Sequence, residues 1–175
     1  VSSVGGKNAS LGEMLQELES KGVPVPDGFA TTASAYRAFL KKNDLADKIE
    51  SLVSDYRNEK KSLHEVGRTI RHLFAEADFP EDVADAIRKA YAELSEKYGT
   101  ENVGVAVRSS ATAEDLPNAS FAGQQESFLN VSGTNAVLDA CRRCYASLFT
   151  DRAISYREDK GFGQMKVALS VGVQK

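Results

Sequence analysis

The sequence predicts an α/β domain of the α+β kind, with a helical part set into it. Three observations carry this expectation. Apolar residues recur at helical spacing almost without a break from Thr32 to Gly99. After Gly99 the pattern changes to short apolar runs that alternate with helical stretches. The run Lys166–Val173 alternates, with Val167, Leu169, Val171 and Val173 on one face and Ala168, Ser170 and Gly172 on the other. We therefore expect an α/β lobe built from residues 1–31 and 100–175, and a helical subdomain over residues 32–99.

Taken in order, Leu11, Met14, Leu15 and Leu18 mark an amphipathic helix that ends at Gly22, with Pro24 as a stop beyond it. Val23 to Thr31 is expected to be extended, because Pro24 and Pro26 each bias the preceding residue away from helix. Thr32 suits an N-cap for a helix carrying Tyr36, Phe39 and Leu40. Leu45, Ile49, Leu52, Val53 and Tyr56 mark another helix, and Leu63, Val66, Ile70, Leu73 and Phe74 a further one. Pro80 fits the first turn of a long helix through Val83, Ile87, Tyr91 and Leu94, which Gly99 ends. Val103–Val107 reads as a buried strand and Gln125–Val131 as a second, more polar one. Thr134 is expected to cap a helix to about Phe149, and Asp151 to start another through Lys160. Gly161-Phe162-Gly163 is a turn before the last strand, Lys166–Val173.

The bulk composition excludes some functions. The chain has 175 residues, 42% of them hydrophobic and 27% charged, as in an ordinary globular domain. A net charge of -3 gives no electrostatic case for nucleic acid. No apolar run approaches the roughly 20 residues that a membrane helix needs. The first residues are small and polar, unlike a signal peptide. Val1 in place of a methionine, and an apolar run continuing to Lys175, lead us to expect a piece of a longer protein. The two cysteines, Cys141 and Cys144, form a C-x-x-C, a spacing shared by redox pairs and zinc half-sites. They fall on one helical stripe with Val137, Ala140, Tyr145 and Leu148, which makes them core residues instead.

Two segments carry chemistry. From Val107 the chain reads Val-Arg-Ser-Ser-Ala-Thr-Ala-Glu-Asp-Leu-Pro-Asn-Ala-Ser-Phe-Ala-Gly-Gln, ending at Gln124. An arginine at a strand end beside a loop of small residues can hold a polyphosphate. The guanidinium supplies charge and a planar fork, and a glycine lets backbone approach an oxygen closely. A surface loop with Arg108 paired to Glu114 or Asp115 is the plainer alternative. The second segment is Val4-Gly5-Gly6-Lys7-Asn8-Ala9-Ser10-Leu11-Gly12-Glu13-Met14, followed by Gly22-Val23-Pro24-Val25-Pro26-Asp27-Gly28-Phe29-Ala30-Thr31-Thr32. Lys7, next to two glycines and before a helix, suits an anion or is a lysine on a turn. It is not a Walker A lysine: Val1 stands where the first glycine is needed, and Asn8 where the hydroxyl is needed.

In this order, these segments resemble the N-terminal nucleotide-binding domain of the phosphoenolpyruvate synthase family, which includes pyruvate phosphate dikinase and the rifampicin phosphotransferases. The resemblance is dense over 4–40 and 103–173 and thin between. It implies the first lobe of an ATP-grasp-like nucleotide-binding domain with an inserted helical subdomain. It also implies a cytoplasmic enzyme of gluconeogenesis that converts pyruvate, ATP and water to phosphoenolpyruvate, AMP and phosphate through a phosphorylated carrier histidine. Within it, Lys7 and Arg108 match the family's phosphate-binding lysine and arginine, with Arg108 also the catalytic residue. Ser120, Phe121, Ala122, Gly123 and Gln124 match its glycine-rich phosphate loop, which binds through backbone N–H groups. The cofactors implied are ATP and Mg2+, the metal's ligands lying in a second nucleotide lobe, so that no metal ligand is expected in these residues, Glu114 and Asp115 included. The partners implied are ATP, a phosphohistidine domain and a pyruvate-binding domain of the same full-length chain, itself a candidate homodimer, with no nucleic acid or membrane. Neither His64 nor His72 sits in the Gly-Gly-Arg-Thr-x-His setting of the carrier, and both are expected at the surface. The alternatives are a rifampicin-type phosphotransferase or pyruvate phosphate dikinase lobe, and a non-catalytic binding module. Pyruvate phosphate dikinase has a Gly-Ala-Arg-Asp-like continuation in place of this arginine segment, and the opening Gly-Gly-Lys-Asn-Ala-Ser-Leu-Gly-Glu-Met favours the synthase over the rifampicin enzymes.

Overall fold

The computed structural model describes residues 2–19, 21, 27–112 and 126–175. Among them the order is α1 (Gly5–Glu19), β1 (Gly28–Ala30), α2 (Ala33–Lys42), α3 (Leu45–Arg57), α4 (Leu63–Glu76) and α5 (Glu81–Lys97). Then follow β2 (Val105–Ala111), β3 (Ser127–Val131), α6 (Thr134–Ala146), a 3-10 turn (Ser147–Phe149), α7 (Asp151–Asp159) and β4 (Leu169–Gln174). The four strands make one sheet in the order β1-β4-β2-β3, antiparallel at every pairing. The mixture of helices and strands is thus of the α+β type.

Local chemistry sets most helix ends as expected. Thr32 caps α2, its hydroxyl accepting from the Ala35 N–H at 3.2 Å. Ser62 does the same for α4 through Glu65 N–H. Pro80 stands at the N-cap of α5, and Gly99 follows the helix at φ +66°. α7 starts at Asp151 as expected, with Thr150 as its cap, accepting from Ala153 N–H at 3.2 Å. The start of α6 moves by one residue. Gly133, at φ +95°, holds the cap position before α6, and Thr134 is its first helical residue. The last expected turn of α6 tightens into the 3-10 turn.

Two differences bear on function. α1 begins at Gly5, so Lys7 lies inside its first turn rather than before the helix. β2 runs on past Val107 to Ala111, which places Arg108 within the strand and not at its end. The side chains after Val107 gave no apolar signal, but β4 pairs with every residue from Ala106 to Ala111 and supplies backbone hydrogen-bond partners. Gly22 and the segment 22–26 fall outside the described residues, as does Gln125 before β3.

Paired residues on neighbouring strands share a face, so the pairings Val107↔Val173, Ser109↔Val171 and Ala111↔Leu169 define the face turned to the helices. The buried core is continuous there. It joins Phe39, Ile70, Phe74 and Tyr91 of the helical stretch to Val107, Cys141, Ile154 and Val171. The other face, with Arg108↔Gly172 and Ser110↔Ser170, lies under α1. Hence β4 is buried on both sides: Ser170 and Gly172 are covered as fully as Val171.

Cys141 and Cys144 are free thiols within this core. Burial pushes the Cys141 thiol up to about 12 and raises Cys144 as well. Both thiols should resist alkylation in the folded protein and react only on unfolding. Replacing both by alanine should cost about 1–2 kcal/mol, read by urea unfolding, through lost packing. Stoichiometric zinc by elemental analysis would overturn their assignment to the core.

Candidate functional site

The first turn of α1 rests on the sheet at two points where side chains are absent. Gly5, at φ +74°, sits so close to Ser110 that a Cβ would collide with that residue's backbone and hydroxyl. A Cβ on Gly172 would strike the amide of Asn8. Between these seats opens a cleft of about 480 Å³, bordered by Lys7, Asn8, Leu11 and Met14 from α1 and by Arg108 and Gly172 from the sheet. Arg108 is exposed on β2, between Gly172 of β4 and Ser127 of β3.

The charges in this cleft have one sign. Lys7 and Arg108 both border it, and no acidic residue does among the described lining residues. The positive end of the helix dipole adds to them at the start of α1. A cavity of similar volume between β1, α2 and α5 makes a contrast: Phe29, Ala35, Val83 and Ile87 line it, and Asp82 is its charged residue. Of these two, the first has the lining that suits an anion.

Of the expected site residues, the structure brings Lys7 and Arg108 together. Ser120, Phe121, Ala122, Gly123 and Gln124 lie outside the described residues, as do Glu114 and Asp115. The chain is described again from Glu126, whose carbonyl accepts from the Ser109 N–H at 3.3 Å, next to Arg108. The described residues contain no cluster of three histidine, cysteine or acidic side chains fit for a metal ion. His72 is exposed on α4. His64 is exposed too, its Nδ1 3.1 Å from Asp151 Oδ2. Partial burial works against the Asp151 charge, but hydrogen bonds from Arg71 and His64 outweigh it and hold that carboxyl below its usual range.

Sequence reasoning missed Asn8, Gly172, Leu11 and Met14 as cleft residues. For Gly172 a signal existed: it interrupts a valine-rich strand on the face that carries Ser170.

No helix among the described residues is long and apolar enough to cross a membrane. Compared with known proteins, residues 1–175 match the family model described as pyruvate phosphate dikinase, AMP/ATP-binding domain. The phosphoenolpyruvate synthase of Synechocystis sp. is 55% identical over 180 aligned positions, covering 100% of this chain and 22% of that protein. That of Aquifex aeolicus is 55% identical over 172 positions, covering 98% of this chain and 20% of the relative. That of Escherichia coli K12 is 51% identical over 176 positions, covering 100% and 22%. The chain therefore spans about a fifth of the length of these curated relatives.

Proposed function

The chain belongs to the pyruvate phosphate dikinase AMP/ATP-binding domain family, and from that premise we propose that it forms the ATP-binding portion of a phosphoenolpyruvate synthase. The observation that carries the proposal is the shared cleft of Lys7 and Arg108, which come from distant parts of the sequence. The complete enzyme converts pyruvate, ATP and water to phosphoenolpyruvate, AMP and phosphate, with a carrier histidine taking the phosphoryl group first. Lys7 gives a point charge to the phosphates, and Arg108 neutralises charge that builds on the transferring group. Backbone N–H groups of Ser120, Phe121, Ala122, Gly123 and Gln124 complete the cradle. Mg2+ accompanies the ATP and takes its protein ligands from a second nucleotide lobe, since the cleft here offers cations. In this reading the α1 face of the sheet is the first lobe of an ATP-grasp-like domain, and residues 32–99 are its helical subdomain. The phosphohistidine and pyruvate-binding domains belong to the same full-length chain, a cytoplasmic and homodimeric enzyme.

ATP titrated into the 175-residue chain should shift amide resonances of residues 5–8 and 108–110. Half a nucleotide site should bind weakly, near 1 mM or about 4 kcal/mol. Binding should weaken further with added salt, because it rests on exposed charges. Shifts confined to residues 32–99, or none at saturating ATP, would count against the cleft.

A further inference from the structure

We propose that Asn8 is a positioning residue of the nucleotide cleft: its side-chain amide, bonded to Ser170 over Gly172, fixes the first turn of α1 so that Lys7 and Arg108 border one space. This inference rests on the reading of the cleft as an ATP site. The start of α1 needs such a fixture. None of the side chains in its first turn, from Gly6 to Asn8, is buried. Polar contacts join this turn to the sheet. Asn8 Nδ2 donates to Ser170 Oγ at 2.9 Å. That hydroxyl in turn donates to the Thr31 carbonyl. Thr31 is itself clamped to β4, donating its N–H to the Val171 carbonyl at 2.8 Å and accepting the Val171 N–H at 2.9 Å. Ser3, just before α1, accepts from Ala33 N–H at 2.7 Å, which ties the same turn to α2.

The relay has a direction. Ser170 has one hydroxyl hydrogen, and it goes to Thr31, so residue 8 must bring a donor. An aspartate has the shape of asparagine but only accepts, and would set two acceptors against each other. On the other side, Asn8 Oδ1 fills the space over Gly172. Asn8 is thus held by a hydrogen bond on one side and by shape on the other. Its neighbour in sequence is Lys7.

The test uses steady-state kinetics of the full-length enzyme. With Asn8→Ala, kcat/KM for ATP should fall about tenfold, since a shift of an ångström in a positioning element commonly costs that much or more. The value for pyruvate, which reacts after the carrier is charged, should not change. Asn8→Asp should lose as much as Asn8→Ala, and the double variant Asn8→Ala/Ser170→Ala should be no worse than the worse single one. Lys7→Ala serves as the reference. An unchanged kcat/KM for ATP in Asn8→Ala beside a large loss in Lys7→Ala overturns the positioning role and leaves the cleft standing. Unchanged values in both variants overturn the reading of the cleft and this inference with it. Equal falls toward ATP and pyruvate mark a merely structural role and also overturn it.

Discussion

Replacing Arg108 by alanine in the full-length enzyme should slow phosphorylation of the carrier histidine by ATP about a hundredfold, or roughly 3 kcal/mol in the barrier. The guanidinium is exposed in the cleft, and charge-assisted contacts to a transferring phosphoryl group strengthen as charge develops there. The same change should leave stability within about 0.5 kcal/mol of wild type, as for other surface positions. β2 is held at this point by backbone pairing to β3 and β4, which alanine keeps. Arg108→Lys should recover only part of the rate, because it restores the charge and not the planar fork. Single-turnover experiments with radiolabelled ATP measure the rate, and thermal unfolding measures the stability. A near wild-type rate would remove Arg108 from the site.

Phe39→Ala should have the largest effect on stability, about 4 kcal/mol. Phe39 is fully buried at the centre of an aromatic group. Its ring lies 5.9 Å from Phe74, 5.1 Å from Phe79 and 5.2 Å from Tyr145. These neighbours come from α4, from the segment before α5, and from α6, so shrinking Phe39 opens a void that no one helix can close. A typical domain has only about 5–15 kcal/mol in total. Because the core runs on to Val107 and Val171, unfolding should remain one transition, with sheet and helices lost together. Urea unfolding followed by far-UV circular dichroism and by tyrosine fluorescence tests this. Melting of the helices in Phe39→Ala while the sheet persists would show that the two parts are energetically separate.

The helices were legible because their apolar stripes and caps are local. Thr32 caps α2 as its chemistry predicts, and Gly99 follows the end of α5. The extent of β2 was not legible, since Arg108 to Ala111 become strand through partners that arrive from residues 127–131 and 169–174. Arg157 misleads for a related reason. A charged helical residue is expected in solvent, yet it is fully buried, bonded to Gln164 Oε1 and to the Leu148 carbonyl and lying over Phe149. Burial pushes its guanidinium down to about 10, against the raising effect of Tyr36 and Glu158. In the cleft, Lys7 and Arg108 were legible through the resemblance. Asn8 was not, because its contacts with Ser170 and Gly172 join segments far apart in the chain.

The pairing of β1 with β4, Gly28 with Gln174, joins the start of this chain to its far end, and so does the bond from Asn8 to Ser170. During synthesis the cleft cannot exist until the ribosome has released β4. Until then the nascent chain carries β2 with an open edge beside the unfilled positions of Leu169, Val171 and Val173, a surface prone to wrong pairing. The helices from α2 to α5 are made of local contacts and can form early, whereas the sheet must wait for the slowest kind of contact, between segments far apart in the chain. Slow translation across residues 112–168 would prolong the hazard.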